Sequence, residues 1–208
     1  DSFKIVTLSG PSHAEEVVDN KPTAIVSSSE QISLAENAQA MFSTNKFRVY
    51  TNSDIIGAEI GGSAKNVIAI AAGFCDGVGY GDNTKSALIT RGISEISRLG
   101  KKIGANPDTF FGLTGVGDLI VTCVSMHSRN RKLGELIGKG GKLSKILSQS
   151  HMVIEGVETA HSIYNLSSKL NVEMPICDSV YRVLYKNANP LVEVDSLMTR
   201  NLKSESIG

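Results

Sequence analysis

Hydrophobic and polar positions follow two regimes along the chain. Up to residue 54 the apolar runs are short and β-branched. Phe3-Lys4-Ile5-Val6-Thr7-Leu8 ends at Ser9-Gly10-Pro11-Ser12, Thr23-Ala24-Ile25-Val26-Ser27 is a second run, and Phe47-Arg48-Val49-Tyr50 alternates like a strand. Between the last two, Leu34, Ala38, Met41 and Phe42 recur at helical spacing, with Glu36 and Gln39 facing out, which predicts a helix over 33–42. Strands alternating with a helix predict part of an α/β sheet. Three strands are few for such a domain, so a missing N-terminal part is expected.

From residue 55 the period changes to that of helices. Ile56, Ile60, Val67, Ile68, Ala71, Ala72 and Cys75 recur every three or four residues and predict one long helix. Further helices are predicted over 84–99, 131–137, 158–170, 175–185 and 192–198, with Pro107 opening another helix or turn. The stretch Gly77-Val78-Gly79-Tyr80-Gly81-Asp82 lacks the spacing of a nucleotide loop and reads as a flexible link between helices. The expected fold is mostly α: an all-α domain over 55–208, preceded by an α/β remnant over 1–54.

Composition narrows the functions available. Lys+Arg and Asp+Glu are 21 each, so the chain has no excess of basic charge for nucleic acid or an anionic membrane. Aromatics are 5% and Trp is absent, which argues against a stacking platform for single strands. Cys75, Cys123 and Cys177 are odd in number and far apart among small or apolar neighbours, as expected of reduced buried thiols in a cytoplasmic protein. The histidines show no ligand spacing, so no metal is expected. The apolar stretch 55–75 contains Glu59, Lys65 and Asn66 and reads as a buried helix before a membrane span. The chain starts without Met or a signal peptide and is expected to begin inside a longer protein.

Two clusters carry candidate chemistry. Lys65 has Gly61, Gly62, Ile68 and Ala69 as its one-turn neighbours, with no carboxylate to pair with. Its ammonium either snorkels past a glycine-rich surface or lines a cleft, where desolvation would ready it for proton transfer and Asn66 would orient a bound oxygen. Ser128-Arg129-Asn130-Arg131-Lys132 is the second cluster. Ser128 is suited to cap a helix, whose first N–H groups and Arg129 would cradle a phosphate; the alternative is a solvated basic first turn. In Gly115-Val116-Gly117-Asp118 the glycines either form a tight loop presenting Asp118 to a cleft or precede a helix that Asp118 caps. Ser9-Gly10-Pro11-Ser12 is either a strand-end loop near a ligand or an ordinary turn.

These segments together resemble the NAD(P)-dependent glycerol-3-phosphate dehydrogenase family of bacterial type. The resemblance rests on Leu8-Ser9-Gly10-Pro11-Ser12-His13-Ala14-Glu15-Glu16, Glu59-Ile60-Gly61-Gly62-Ser63-Ala64-Lys65-Asn66-Val67, Asp82-Asn83-Thr84-Lys85, Gly112-Leu113-Thr114-Gly115-Val116-Gly117-Asp118-Leu119, Ser128-Arg129-Asn130-Arg131, Glu155-Gly156-Val157 and Val172-Glu173-Met174-Pro175-Ile176, in the family's order. It implies an all-α domain of the 6-phosphogluconate-dehydrogenase C-terminal type after the end of a Rossmann-type domain. It also implies hydride exchange between sn-glycerol 3-phosphate and NAD or NADP, giving dihydroxyacetone phosphate and serving phospholipid synthesis in the cytoplasm, in a possible homodimer. Lys65 would be the catalytic acid–base. Gly10, Ser12, Lys65, Asp118, Ser128, Arg129 and Asn130 would hold substrate; Ala14, Arg129, Val153 and Glu155 would touch the cofactor. The related β-hydroxyacid dehydrogenases carry Asn one turn after the lysine, where this chain has Ala69. The family's glycine-rich pyrophosphate loop and a further lysine are absent from these residues, so the chain alone is expected neither to bind NAD(P) tightly nor to turn over. Two other readings compete: a non-catalytic phosphate-ester-binding or dimerisation module, and a hydroxyacid dehydrogenase substrate domain.

Overall fold

The computed structural model describes residues 4–150, 152–202 and 204–205. Residue 3, which opens the first predicted strand, lies outside them. A small sheet of three strands comes first: β1 (Thr7–Ser9), β2 (Thr23–Ser28) and β3 (Phe47–Asn52), in that spatial order. β2 and β3 run parallel, Thr23 opposite Phe47 and Ser28 opposite Asn52, connected through helix α2 (Ile32–Phe42). β1 is antiparallel to β2 and joins it through the short helix α1 (Ala14–Val18). The loop leaving β1 needs a glycine. Gly10 has φ +145°, and a Cβ there would press to 3.0 Å from Ile25 Cα on β2.

Helix α3 (Ile55–Val78) is the axis of the rest of the chain. Asp54 caps it, accepting from Gly57 N at 2.8 Å. The same carboxylate also takes Asn106 N (2.9 Å) and Thr109 Oγ1 (2.6 Å), tying the helix start to a distant turn. From Asn66 to Cys75 every residue is buried, because helices pack on α3 from all sides. The helix has the length and mean hydropathy (1.3) of a membrane span, and the packing around it explains that apolar character.

Around it lie α4 (Asp82–Lys102), a 3-10 turn (Pro107–Phe111), one π-helical turn (Leu113–Gly117), α5 (Asp118–Val124), α6 (Arg129–Gly138), α7 (Leu143–Gln149), α8 (Glu155–Leu170), α9 (Pro175–Lys186) and α10 (Pro190–Met198). The tightest crossing is α3 on α6. Gly73 and Gly77 face Gly134 and Gly138, and a Cβ on Gly134 would stand 2.9 Å from Gly73 Cα. Absent side chains let these two backbones touch. On the other flank, Glu95 of α4 is 2% exposed and its carboxylate accepts Ile176 N (2.8 Å) and Cys177 N (3.2 Å), closing the first turn of α9.

Three expectations change. The segment 77–82 is no flexible loop: Gly77 is helical, Gly79 is the left-handed end of α3 (φ 86°), and Gly81 precedes α4 directly. The glycines of 115–117 form a π turn, and Asp118 is the first residue of α5 rather than a loop residue. A Cβ on Gly115 would overlap the Phe110 carbonyl, which is why this turn takes glycine. Helix α7 has no counterpart in the predicted elements.

Candidate active site

The glycines beside Lys65 are packed, not exposed. A Cβ on Gly61 would lie 2.7 Å from the Thr114 carbonyl, and one on Gly62 would lie 3.2 Å from Ser9 Oγ. Thr114 Oγ1 in turn donates to Ser9 Oγ at 2.6 Å. The end of β1 and the π turn thus close over the N-terminal half of α3, and Lys65 emerges into the cleft they leave.

There the ammonium meets a carboxylate that local spacing could not reveal. Lys65 Nζ donates to Asp118 Oδ2 at 2.5 Å, across 53 residues of sequence. The Lys65 side chain is 19% exposed and that of Asp118 4%. Thr122 Oγ1 also contacts Asp118, at 2.6 Å to its carbonyl and 3.3 Å to Oδ1. Burial pushes the Asp118 carboxyl above its usual range, with the Lys65 ammonium, Thr122 and His13 pulling the other way.

Gly10, Ser12, Lys65, Asp118, Ser128, Arg129, Asn130 and Glu155 line one polar pocket of about 190 Å³. Its base is an amide network. Asn130 Nδ2 donates to Asn66 Oδ1 (2.9 Å), Gly156 N donates to Asn130 Oδ1 (2.9 Å), and Asn66 Nδ2 reaches Glu155 (3.4 Å). Three helices, α3, α6 and α8, are thereby locked at the pocket floor. Ser128 caps α6 as expected, accepting from Arg131 N at 3.2 Å. The first turn of α6 is divided: Arg129 and Lys132 are exposed, whereas Arg131 Nε lies 2.7 Å from Asp76, which also pairs with Lys85.

Ala14 and Val153 do not line the pocket. Ala14 is exposed at the start of α1, and Val153 is 74% exposed. Val153 still joins the site through its backbone, since Arg129 Nη1 donates to its carbonyl at 2.7 Å. Arg129, Val153 and Glu155 therefore form one lip of the pocket. Among the lining residues that the sequence reading does not single out are His13 and His127. Each adjoins a predicted residue, Ser12 or Ser128, and adjacency was the only available signal. A larger cavity of about 980 Å³ lies between α4, the start of α9 and residues 194–202, mostly apolar and without any of the predicted site residues. Chemistry rather than size locates the candidate site.

A family model described as the NAD-dependent glycerol-3-phosphate dehydrogenase C-terminus matches residues 54–195. That match covers more than half of the chain. The chain belongs to the NAD-dependent glycerol-3-phosphate dehydrogenase family. The model for the N-terminus of the same family matches residues 1–35. Similar curated proteins include a glycerol-3-phosphate dehydrogenase [NAD(P)+] of Clostridium acetobutylicum, 58% identical over 97% of this chain and 60% of that protein. Another, of Lysinibacillus sphaericus, is 56% identical over 97% of this chain and 60% of that one. The chain thus spans about 60% of the length of these dehydrogenase-family relatives. The crystal structure of glycerol-3-phosphate dehydrogenase from Coxiella burnetii superposes with a TM-score of 0.93 at 37% identity, covering 96% of this chain and 61% of that one. The Saccharomyces cerevisiae enzyme shares the fold, with a TM-score of 0.81.

Proposed function

We propose that this chain carries the substrate pocket of an NAD(P)-dependent glycerol-3-phosphate dehydrogenase, interconverting sn-glycerol 3-phosphate and dihydroxyacetone phosphate. The observation that carries the reading is the Lys65–Asp118 pair at 2.5 Å, opening into a pocket walled by the 128–130 turn. The resemblance supplies the substrate; the pocket supports it with a proton-carrying amine on one side and a capped helix start with Arg129 on the other.

Each residue then has a task. In the oxidative direction a neutral Lys65 amine accepts the C2-hydroxyl proton as the C2 hydride departs; in the reductive direction the ammonium returns it. Asp118 holds the ammonium at the pocket wall. Arg129 and the first N–H groups of α6 take the phosphate, Ser128 and Asn130 fix that turn, and Gly10 and Ser12 close the pocket from the sheet side. The exposed lip of Arg129, Val153 and Glu155, together with Ala14 at the start of α1, is assigned to the cofactor on the resemblance, and the Arg129–Val153 contact at the mouth of the Lys65 pocket supports that assignment. When bound, NAD or NADP supplies or removes the hydride at C2.

The division into an incomplete N-terminal α/β domain over 1–54 and a helical substrate domain over 55–208 is part of this proposal. So are a homodimer, cytoplasmic residence and supply of glycerol 3-phosphate to phospholipid synthesis, all supported by the family membership. The test is Lys65→Met in the full-length enzyme. Turnover should fall by roughly 10²–10⁴-fold while the circular dichroism spectrum is preserved. A folded variant with wild-type turnover would remove Lys65 from the chemistry.

A further inference from the structure

Two of the motifs that carry the family resemblance send a cation away from the pocket. Lys85, in the first turn of α4, and Arg131, in the first turn of α6, converge on Asp76 near the end of α3, and none of the three lines the pocket. Arg131 Nε stands 2.7 Å from Asp76 Oδ2, while Lys85 Nζ pairs with Oδ1. The side chains are 14% (Asp76), 17% (Lys85) and 11% (Arg131) exposed. Neither Arg131 Nε nor Asp76 Oδ2 has a hydrogen-bond partner among the described residues, so the ion pair is what offsets their burial.

Arg131 is also the residue that fixes the start of α6. Its backbone N–H donates to the Ser128 cap at 3.2 Å, and its carbonyl packs on Gly73, where a Cβ would overlap it. Its Nη1 donates to Met126 Sδ at 3.2 Å, two residues ahead of the cap. The side chain thus ties the segment entering the cap to the end of α3, and Arg129 lies within that span.

We infer that Asp76 is a positioning residue for the substrate phosphate: through Arg131 it sets the bearing of the 128–130 turn, so that Arg129 and the first N–H groups of α6 meet the phosphate in register. The inference rests on the proposed dehydrogenase reading and deepens it. Asp76 has two effects of opposite sign on an anion. As a negative charge it repels a phosphate through space, so its loss would tighten binding. As the anchor of the turn, it favours binding, so its loss weakens it. The second effect wins, because roughly 16 Å of α3 separate Asp76 from Lys65, about twice the screening length at physiological ionic strength.

The experiment is steady-state kinetics on the full-length enzyme at physiological ionic strength, with glycerol 3-phosphate as substrate and inorganic phosphate as competitive probe. Asp76→Asn should raise the KM and the phosphate inhibition constant together by about fivefold and leave kcat within about twofold. Arg131→Lys should do the same, because it keeps the charge and loses the fixed fork. Lys85→Met strips one partner from Asp76 but leaves the tie to Arg131, so KM and the phosphate constant should stay within about twofold of wild type, whatever its thermal midpoint. An unchanged or tighter phosphate constant in Asp76→Asn overturns the inference, and so does an equal rise in Lys85→Met, which would reduce the effect to general loosening. If Asp76→Asn does not fold, Arg131→Lys decides alone by its phosphate inhibition constant. Failure here with an inactive Lys65→Met leaves the dehydrogenase reading standing; an active Lys65→Met sinks the reading itself.

Discussion

Glu95 is a carboxylate placed where water cannot reach it, and the placement has a measurable consequence for folding. Its oxygens accept Ile176 N at 2.8 and 3.1 Å and Cys177 N at 3.2 Å, while the residue as a whole is 2% exposed. Burial dominates and raises its pKa from 4.5 to about 7; the two backbone N–H groups and Arg98 oppose the rise, and Asp178 adds to it. The folded state therefore binds this proton more tightly than the unfolded chain does. The protonated group contributes its full stability below about pH 4.5, and that contribution is lost as pH rises to about 7. At about 1.4 kcal/mol per tenfold change in proton affinity, the loss comes to about 3 kcal/mol. Glu95→Gln cannot ionise and replaces one acceptor by a donor facing an N–H, at a cost of about 1 kcal/mol. Urea unfolding of the chain at about pH 5 and pH 8, either side of the transition, reads both effects. The variant should be the less stable protein at the lower pH and the equal or more stable one at the higher. Parallel pH profiles for the two proteins would show that Glu95 titrates alike in the folded and unfolded chains, and the burial argument would be wrong.

Two other substitutions probe different links in the chain of argument. Asp118→Asn keeps the shape beside Lys65 and removes the charge, so kcat of the full-length enzyme should drop by about 10- to 100-fold, while circular dichroism and the thermal midpoint stay near wild type. A variant with normal kcat would make the ion pair a bystander. Gly134→Ala should destabilise the chain by about 3 kcal/mol or more despite alanine's better helix propensity, because the new Cβ would overlap the Ile70 carbonyl and stand 2.9 Å from Gly73 Cα. Urea unfolding checks it, and a neutral or stabilised variant would mean that α3 and α6 can separate cheaply.

The elements that read clearly in the sequence are those whose signal is local. Ile56 through Cys75 keep a helical period long enough to read as one helix, and Pro175 opens a helix where proline is tolerated, whereas α10 begins at Pro190, two residues before the expected 192. Helix α7 leaves no signal in the sequence, because Leu143, Ile146 and Leu147 are too few apolar positions among serines, lysines and glycines to establish a period. The glycines of 115–117 suggest conformational freedom in the sequence, whereas Gly115 is there for want of space beside Phe110. In the site, Ser128 announced its cap because capping is a three-residue event. The partner of Lys65 could not be found in the same way: Asp118 lies on another helix, and only the closure of the π turn over α3 brings the two together. His13 and His127 share that blindness, since their meeting belongs to the tertiary fold.

Lys65 and Gly73 sit two turns apart on one continuous rod, roughly 12 Å along its axis at 1.5 Å per residue. The rod has no proline along this length and is clamped by neighbours all round, so a rotation imposed where it crosses α6 is transmitted to the bearing of the amine. Substitutions at the crossing that never meet the pocket should therefore lower turnover of the full-length enzyme, because they swing the Lys65 amine away from the pocket like a lever moved at its far end.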